Sequence, residues 1–307
     1  MKIPERSPDV ANLMDTGVLS TSPEIIGYAK EFNEKYLHWD DLRHRDLGNA
    51  DRMEVWKVMK FLRMMCSDTV DIGDLRLSYS TSDGYIQQTL QSIDSRMTSS
   101  TLLSNGIDGE TVLSVSSVME ESIASSQLEG ASTTTKVAKR LLRSNQQPKD
   151  RSERMILNNY RAMQLIKERI DRPLSSELIK EIHRVITDGL MDDPSASGEF
   201  RDDDSIAIRS IYEDVTYHVP VGHDRIASMI DGLCEYANTD GRYVHPIVKG
   251  IIIHYILAYI HPFLDGNGRV SRSLFYWYCM KNGYSVMEYL SISKMIKEHR
   301  RDRKSVV

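Results

Sequence analysis

The stretch His261-Pro-Phe-Leu-Asp-Gly-Asn-Gly-Arg-Val-Ser-Arg272 separates two apolar segments of the chain. Residues 247–260 before it are almost unbroken in their apolar character, and residues 270–280 after it have the pattern of a second apolar helix. Pro262 predicts that the first helix ends at or near the residue before it, because a residue preceding proline is pushed out of the right-handed helical region. Asp265 is predicted to cap the second helix at its N-terminus. The stretch is therefore predicted to be a short polar turn between two buried helices.

The composition of this turn favours the binding of an anion. Glycines at 266 and 268 let backbone N–H groups approach a ligand closely, and a helix N-terminus adds free N–H groups and the positive end of its dipole. Arg269 and Arg272 lie three residues apart, so they share a helix face from which both can donate to phosphate oxygens. Asp265 is the only acid of the stretch, and Mg²⁺ prefers one or two carboxylates together with substrate phosphates. His261 can accept a proton near neutral pH.

The stretch resembles the Fic-domain motif, His-x-Phe-x-Asp-Gly-Asn-Gly-Arg-x-x-Arg, at each of its eight defining positions. A pattern this long is specific, provided that two helices flank it as expected here. The resemblance implies a mainly α fold, namely a Fic-type helical bundle with a small β-hairpin flap beside the active site. It also implies a protein adenylyltransferase, which moves AMP from ATP to a Ser, Thr or Tyr hydroxyl of a target protein and releases pyrophosphate.

The resemblance assigns roles within the motif. It implies that His261 is the catalytic base and that Asp265 binds the metal, Mg²⁺ or Mn²⁺. The residues that it implies for nucleotide binding are Gly266, Asn267, Gly268, Arg269 and Arg272. Of these, the two arginines are expected to hold the β- and γ-phosphates, and the Asn267 side chain is expected to join the backbone in the anion site. Gly268 favours nucleotide transfer, because a phosphate-transferring branch of the superfamily has Lys there.

A second motif precedes the first. Val112 to Leu128 is predicted to be a helix that ends at Gly130. Its last residues, Ser125-Ser-Gln-Leu-Glu129-Gly130, resemble the inhibitory motif of Fic proteins, Ser/Thr-x-x-x-Glu-Gly/Asn. The resemblance implies that Glu129 pairs with Arg272, and Ser125 is one turn earlier on the same face, where it can help to hold the helix against the motif. The alternative is a solvated glutamate at an ordinary helix end.

Three domains are expected along the chain, at residues 1–110 (N-terminal helical region), 111–148 (inhibitory helix and linker) and 149–307 (Fic core). Two β-branched segments, 205–209 and 215–220, flank Tyr212-Glu-Asp214 and predict the flap hairpin. Such a hairpin can pair with a target segment along its open edge. Residues 71–82 predict a loop or a second short hairpin. Many relatives continue with further helices and a winged-helix domain, so a truncated product is one expectation for this chain.

Length, net charge and cysteine content limit where the protein is expected to be located and which partners it is expected to bind. A chain of 307 residues with net charge −5 has no global electrostatic footprint for nucleic acid, although local basic patches are compatible with it. Three widely spaced cysteines and an N-terminus without an apolar signal core favour a cytoplasmic protein. The expected partners are ATP, a hydroxyl-bearing target protein on the flap and, as an open alternative, a second copy in a homodimer. Nucleic acid and membrane are not expected.

Two other functions remain open from the sequence. The same site could run hydrolysis and remove AMP from a modified protein, with Glu129 positioning the water. The chain could also be a nucleotide-responsive or DNA-associated regulator without catalysis. The presence of His261 disfavours the regulator, because binding alone does not require a base.

Overall fold

The computed structural model describes residues 7–8, 10, 21–82, 84–97, 110–144, 146–209, 216–239 and 241–299. Twelve α-helices lie in these residues: α1 Pro23–Glu34, α2 Trp39–Leu42, α3 Arg52–Met65, α4 Gly84–Met97, α5 Glu110–Leu128, α6 Thr135–Ser144, α7 Arg151–Glu168, α8 Ser176–Thr187, α9 His223–Asn238, α10 Pro246–Ile260, α11 Asn267–Lys281 and α12 Ile292–Glu298. Two two-stranded sheets accompany them, β1 Asp68–Ile72 with β2 Leu75–Tyr79, and β3 Ile208–Arg209 with β4 Thr216–His218. The predicted mainly α fold with a small hairpin is confirmed.

The chain divides into two compact units. The first comprises the described residues of 1–71 and 76–91 together with residue 299, and its core is built where α1 packs on α3 around the fully buried Trp56 and Met59. The second comprises residues 72–75 and the described residues of 92–298. The domain boundaries predicted at 110 and 148 stay predictions.

Helices α10 and α11 form the centre of the second unit. Ile253, Ile256 and Leu257 of α10 are fully buried, and so are Leu274 and Trp277 of α11. A nearly uniform apolar sequence suits a helix that is covered on most of its circumference. Helices α5, α7 and α8 also pack against α11. Among the described helices, none combines the length and the apolar character that crossing a membrane requires.

Helix α5 ends as the sequence predicts, at a glycine in the left-handed region. Gly130 has φ of +96°. Its N–H donates to the carbonyl of Gln127, and the N–H of Ala131 donates to that of Ser126. These two bonds form a Schellman motif, which satisfies carbonyl groups at the helix end. Helix α6 follows after a short loop, in a segment for which the sequence predicts only a linker.

A buried carboxylate fixes the middle of α5. Glu121 is 2% exposed and accepts hydrogen bonds from the hydroxyl of Tyr276 and from both the backbone and the hydroxyl of Ser293. The Ser291 hydroxyl donates to it as well. Because a buried charge is tolerated only when it is fully hydrogen-bonded, this cluster ties α5 to α11 and to the start of α12.

The flap hairpin is present but shorter than predicted. Ile208 pairs with His218 and Arg209 with Thr216, with an irregularity between the two pairs. The turn predicted at Tyr212 to Asp214 lies outside the described residues. The His218 ring nitrogen Nε2 lies 2.8 Å from the carbonyl oxygen of Tyr259 on α10. This hydrogen bond holds the second strand beside the end of α10, where the motif begins.

Candidate functional site

The motif turn begins where α10 stops. His261 follows the last helical residue with φ of +51° and ψ of +59°, in the left-handed region. Few residues other than glycine adopt this conformation, and it costs on the order of 1–3 kcal/mol. Strain of this kind persists when the surrounding structure imposes it, and the following proline contributes by excluding the right-handed helical region. The prediction that the helix ends at His261 is confirmed.

The predicted cap of the second helix is wrong. Helix α11 begins at Asn267, and the residue that precedes it is Gly266, with φ of +83° and no side-chain cap. Asp265 lies one position earlier, and its Oδ1 accepts from the N–H of Gly266 at 2.6 Å. A Cβ on Gly266 would also approach the Thr187 Cγ2 to 3.1 Å, so the limited space adds to the positive φ in favouring glycine.

The turn is closed by the Asn267 side chain. Its Oδ1 accepts from the Phe263 N–H at 2.9 Å, and its Nδ2 donates to the Phe263 carbonyl at 2.7 Å. The side chain is 3% exposed. The motif predicts that this amide contacts an anion. In the structure both of its polar atoms serve the turn, so an anion would meet backbone N–H groups here.

His183 on α8 packs against the turn. In the sequence, nothing distinguishes this residue within the apolar pattern of its helix. Its ring stacks on Phe263 with centroids 3.7 Å apart and planes within 3°. Its Nδ1 accepts from the Gly198 N–H at 2.9 Å, so the proton is on Nε2, which donates to the Asp265 carbonyl at 3.0 Å. Burial lowers the pKa of His183 to about 4. The ring is therefore a neutral support for the backbone at Asp265.

This pKa predicts a loss of stability in mild acid. Above about pH 6.5 the ring is neutral in both the folded and the unfolded chain. As the pH falls from there to about 4, the unfolded chain takes up a proton that folded His183 refuses, so the free energy of unfolding falls by about 3 kcal/mol. The wild type should have a higher free energy of unfolding in urea than a His183→Gln variant at neutral pH, and this difference should become smaller as the pH falls over this range. An advantage independent of pH would contradict the assignment.

Arg201 is a second supporting residue that the motif does not reveal. Its backbone N–H donates to the Pro262 carbonyl and its Nε to the His261 carbonyl, at 2.9 and 3.0 Å. Its two terminal nitrogens donate to the Asp203 and Val221 carbonyls, and it also pairs with the Asp204 carboxylate. The side chain is buried. Arg201 thus joins the start of the motif to both ends of the segment that carries the flap.

His261 has the protonation state that a base needs. Its Nδ1 lies 3.3 Å from the Ala258 carbonyl oxygen, which can only accept, so Nδ1 carries the hydrogen and Nε2 is the basic atom. Burial lowers the pKa of His261 and outweighs the hydrogen bond to the Ala258 carbonyl, which raises it; the nearby His218 and Arg201 also lower the pKa, and the Glu129 carboxylate raises it. The ring is consequently neutral at neutral pH.

Asp265 is placed where a cation could bind, with Arg269 behind it. Its side chain is half exposed, and the contact of its Oδ2 within the described part of the chain is a loose one, with the Arg151 guanidinium at 3.7 Å. The Arg269 side chain is 1% exposed, approaches Asp265 Oδ1 at 3.5 Å and donates to the Ile186 carbonyl. An accessible carboxylate oxygen suits Mg²⁺ or Mn²⁺ if substrate phosphates supply further ligands. The phosphate contact expected of Arg269 stays a prediction, since its guanidinium faces the protein interior.

The predicted pair between Glu129 and Arg272 is present. Arg272 Nη2 lies 2.6 Å from Glu129 Oε1, and the same guanidinium donates to the Ser125 hydroxyl at 2.8 Å and to the Ser125 carbonyl at 3.1 Å. A Cβ added to Gly268 would overlap Glu129 Oε1. The carboxylate therefore lies directly against the first turn of α11, where the N–H groups have no partner within the helix. An internal anion occupies the place that the sequence assigns to phosphate.

Comparison with protein families gives a match over part of the chain. Residues 173–279 match the model of the Fic/DOC family. The protein adenylyltransferase Fic of Drosophila willistoni is 36% identical over 107 residues, which cover 34% of this chain and 20% of that protein. The protein of the same name from Drosophila mojavensis is 35% identical over 107 residues, with 34% and 19% covered. The chain thus spans about a fifth of the length of these curated relatives.

Solved structures share the fold over a longer part of the chain. A Fic family protein from Desulfovibrio desulfuricans G20 superposes with a TM-score of 0.58 at 20% identity, over 70% of this chain and 62% of that one. Fic-1 from C. elegans gives a TM-score of 0.60 at 15% identity, over 92% of this chain and 77% of that one. At these identities the likeness concerns the fold alone.

Proposed function

We propose that this chain, which is a Fic domain protein, transfers AMP from ATP to a Ser, Thr or Tyr hydroxyl of a target protein and is inhibited by its own Glu129. The observation that carries the proposal is the Glu129 carboxylate, which lies against Gly268 and pairs with Arg272 at 2.6 Å. A negatively charged group held at a helix N-terminus marks an anion site. The neutral ring of His261 lies just before this helix in the chain.

The chemistry proposed for His261 is general-base catalysis. The ring accepts the proton of the target hydroxyl at Nε2 while the hydroxyl oxygen bonds to the α-phosphorus of ATP. The bond from that phosphorus to the bridging oxygen of the β-phosphate breaks, and pyrophosphate leaves. The Nδ1–H group keeps its proton and donates it to the Ala258 carbonyl oxygen, which fixes the tautomer. Hydrogen bonds from Arg201 and from His218 to neighbouring carbonyls keep the ring position defined.

The remaining residues of the turn bind and orient the nucleotide in this proposal. Backbone N–H groups at the start of α11 face the phosphates, and Arg272 donates to the terminal ones once Glu129 has released it. Asp265 would hold a divalent cation, which would offset the charge of the phosphates when bound. The stack of His183 on Phe263 keeps the Asp265 backbone in place.

Removal of the metal is expected to stop the reaction. Transfer of radioactive AMP from α-labelled ATP by the Glu129→Gly variant should require Mg²⁺ or Mn²⁺ and should fall to background in EDTA, because the phosphate charge then lacks its main counterion. Asp265→Ala in the same background should show the same loss with metal present. Asp202→Ala removes the same charge from an exposed position and should leave transfer unchanged, so it serves as the matched control. Undiminished transfer in EDTA would remove Asp265 from the assigned role.

The reaction itself is tested with two labelled forms of ATP. The Glu129→Gly variant, which lacks the internal anion, is incubated in cell lysate with ATP labelled either at the α-phosphate or at the γ-phosphate. Protein bands labelled only from the α-phosphate support AMP transfer and point to the target. Bands labelled from the γ-phosphate with Glu129→Gly but not with Glu129→Gly/His261→Ala would indicate phosphate transfer and overturn the proposal, as would the absence with both forms of any label that depends on His261.

A hydrolase that removes AMP is the second candidate, and one observation favours it. Glu129 Oε1 bonds to Arg272, whereas within the described residues no donor is bonded to its Oε2. A carboxylate oxygen beside the phosphate site could orient a water molecule. The test uses Glu129→Gly protein that has labelled itself as the substrate and wild-type protein as the enzyme. Release of labelled AMP that depends on Glu129 would assign hydrolysis to the wild type.

A further inference from the structure

The outer side of α5 is covered by two basic helices. Helix α6 carries four cations and no acidic residue, and α12 carries two lysines beside a single glutamate. Ala138, Leu141 and Leu142 form the buried side of α6, so its charged side chains point away from the core. We call the six cations the basic surface, which consists of Lys136, Lys139, Arg140, Arg143, Lys294 and Lys297.

Contacts through α5 make this surface continuous. The two carboxylate oxygens of Glu120 pair with Lys139 at 2.7 Å and with Lys294 at 3.0 Å. One turn of α6 and one of α12 therefore meet at a single residue of α5. Lys297 donates to the Gln127 side chain at 2.6 Å, two residues before Glu129. The basic surface thus extends along α5 to the inhibitory end of the helix.

The positive charge of this surface is largely uncompensated. Lys136, Arg140 and Arg143 are exposed, and none of them forms an ion pair with an acid in the part of the chain that the structure describes. The sequence after α12 continues with Arg300, Arg301, Arg303 and Lys304. In a chain with net charge −5, the cations of α6 and α12 are a local concentration of positive charge, and a bound anion would relieve their mutual repulsion.

The geometry points to a phosphate backbone as the partner, and we propose that the basic surface binds duplex nucleic acid without sequence preference. The three exposed cations of α6 lie at positions i, i+4 and i+7, so they span about 10 Å of one helix face. A duplex offers roughly one phosphate charge per 1.7 Å of its axis, which supplies partners for all three at once. The two helices contain no aromatic residue that could stack on a base.

Other anionic partners fit the surface less well. A membrane surface needs a broad apolar face beside the cations, and a protein interface needs apolar residues at its centre. The large apolar side chains exposed on these helices are Val137, 41% exposed, and Met295, 54% exposed. Two separate side chains give little apolar area, whereas electrostatic contacts supply essentially all of non-specific binding to nucleic acid.

The test is fluorescence anisotropy with a labelled duplex DNA of mixed sequence and the full chain. Binding should weaken steeply with salt, and the Lys136→Gln/Arg140→Gln/Arg143→Gln variant should bind at least tenfold more weakly. Its salt dependence should also be flatter, by about 0.9 in logarithmic slope for each phosphate that the variant no longer neutralises. Thermal unfolding serves to check that the variant is folded. We expect it to be, because the three substituted side chains are exposed.

A matched variant separates this surface from the overall charge. Lys30→Gln/Lys35→Gln/Lys57→Gln removes the same three charges from exposed positions of the first unit. It should bind the duplex as the wild type does. Equal weakening by both triple variants would overturn the proposal. So would absence of duplex binding at low salt, or tighter binding to a poly-glutamate peptide or to anionic vesicles than to the duplex at the same salt concentration.

Discussion

Replacing Glu129 by Gly is expected to raise the labelling of protein with AMP about 100-fold. In the wild type the carboxylate engages Arg272 and lies against Gly268, so in the proposed mechanism ATP would enter only with its phosphates displaced. A displacement of about 1 Å at the reacting atoms can cost roughly 10²-fold in rate. The variant should therefore also bind Mg-ATP more tightly, which isothermal titration calorimetry measures independently of catalysis.

Two further variants show whether the ion pair is responsible. Glu129→Gln keeps the size of the side chain and removes its charge, so it should weaken the hold on Arg272 but still lie against Gly268, and it should activate less than Gly. Combining Glu129→Gly with Arg272→Ala should abolish the gain, because the arginine that inhibition sequesters is then missing. If Glu129→Gly labels no more strongly than the wild type at any ATP concentration, the inhibitory role is refuted and Glu129 is an ordinary helix end.

Replacing His261 by Ala in the activated Glu129→Gly background is expected to lower AMP transfer by about 10²- to 10⁴-fold. Loss of a general base typically has this cost. The background matters, because inhibited wild-type protein offers too little signal for such a fall to be measured. Affinity for Mg-ATP should change little, since backbone N–H groups and Arg272 bind the phosphates in the proposed site. Initial rates of label transfer and calorimetric affinity distinguish the two effects.

His183→Ala serves as a comparison for this substitution. It also removes an imidazole next to the turn, but one whose nitrogens are both engaged with the backbone. Its effect should appear as a lower free energy of unfolding and a weaker affinity for Mg-ATP, whereas His261→Ala should lower only the maximal rate of AMP transfer. Transfer at the rate of the activated parent in His261→Ala would show that the proton leaves by another route.

The sequence predicted those parts of the site that depend on local rules. A proline ended α10 beside His261, Gly130 ended α5, and alternating β-branched residues indicated the flap. The pair between Glu129 and Arg272 followed from resemblance to a family, and it could not have been deduced from residues 143 positions apart. Regular local patterns therefore sufficed for the fold class, and the motif sufficed for the contact of Glu129 with Arg272, whereas the roles of the motif residues in catalysis and nucleotide binding stay predictions.

Residues that support the motif from other elements could not be predicted. His183 and Arg201 lie in ordinary contexts, and their importance arises only when the fold brings them to the turn. Asp265 resembles a helix cap in sequence, but Gly266 has the backbone conformation that precedes the helix. Arg269 and Arg272 share a helix, yet one is buried against Asp265 and the other faces α5. Helix propensity does not show which partner each arginine takes, because the partner depends on tertiary contacts.

The buried Glu121 has a consequence for how the proposed inhibition by Glu129 would be released. Its hydrogen bonds with Tyr276 and Ser293 would be broken without replacement if α5 detached as a whole, and a buried carboxylate stripped of its donors costs several kcal/mol. Opening only the last turn, from Ser126 to Gly130, leaves that cluster intact. Local openings of this size need far less free energy than global unfolding. Release of inhibition would then behave as fraying of a helix end, with rapid amide hydrogen exchange confined to that turn and slow exchange around Glu121.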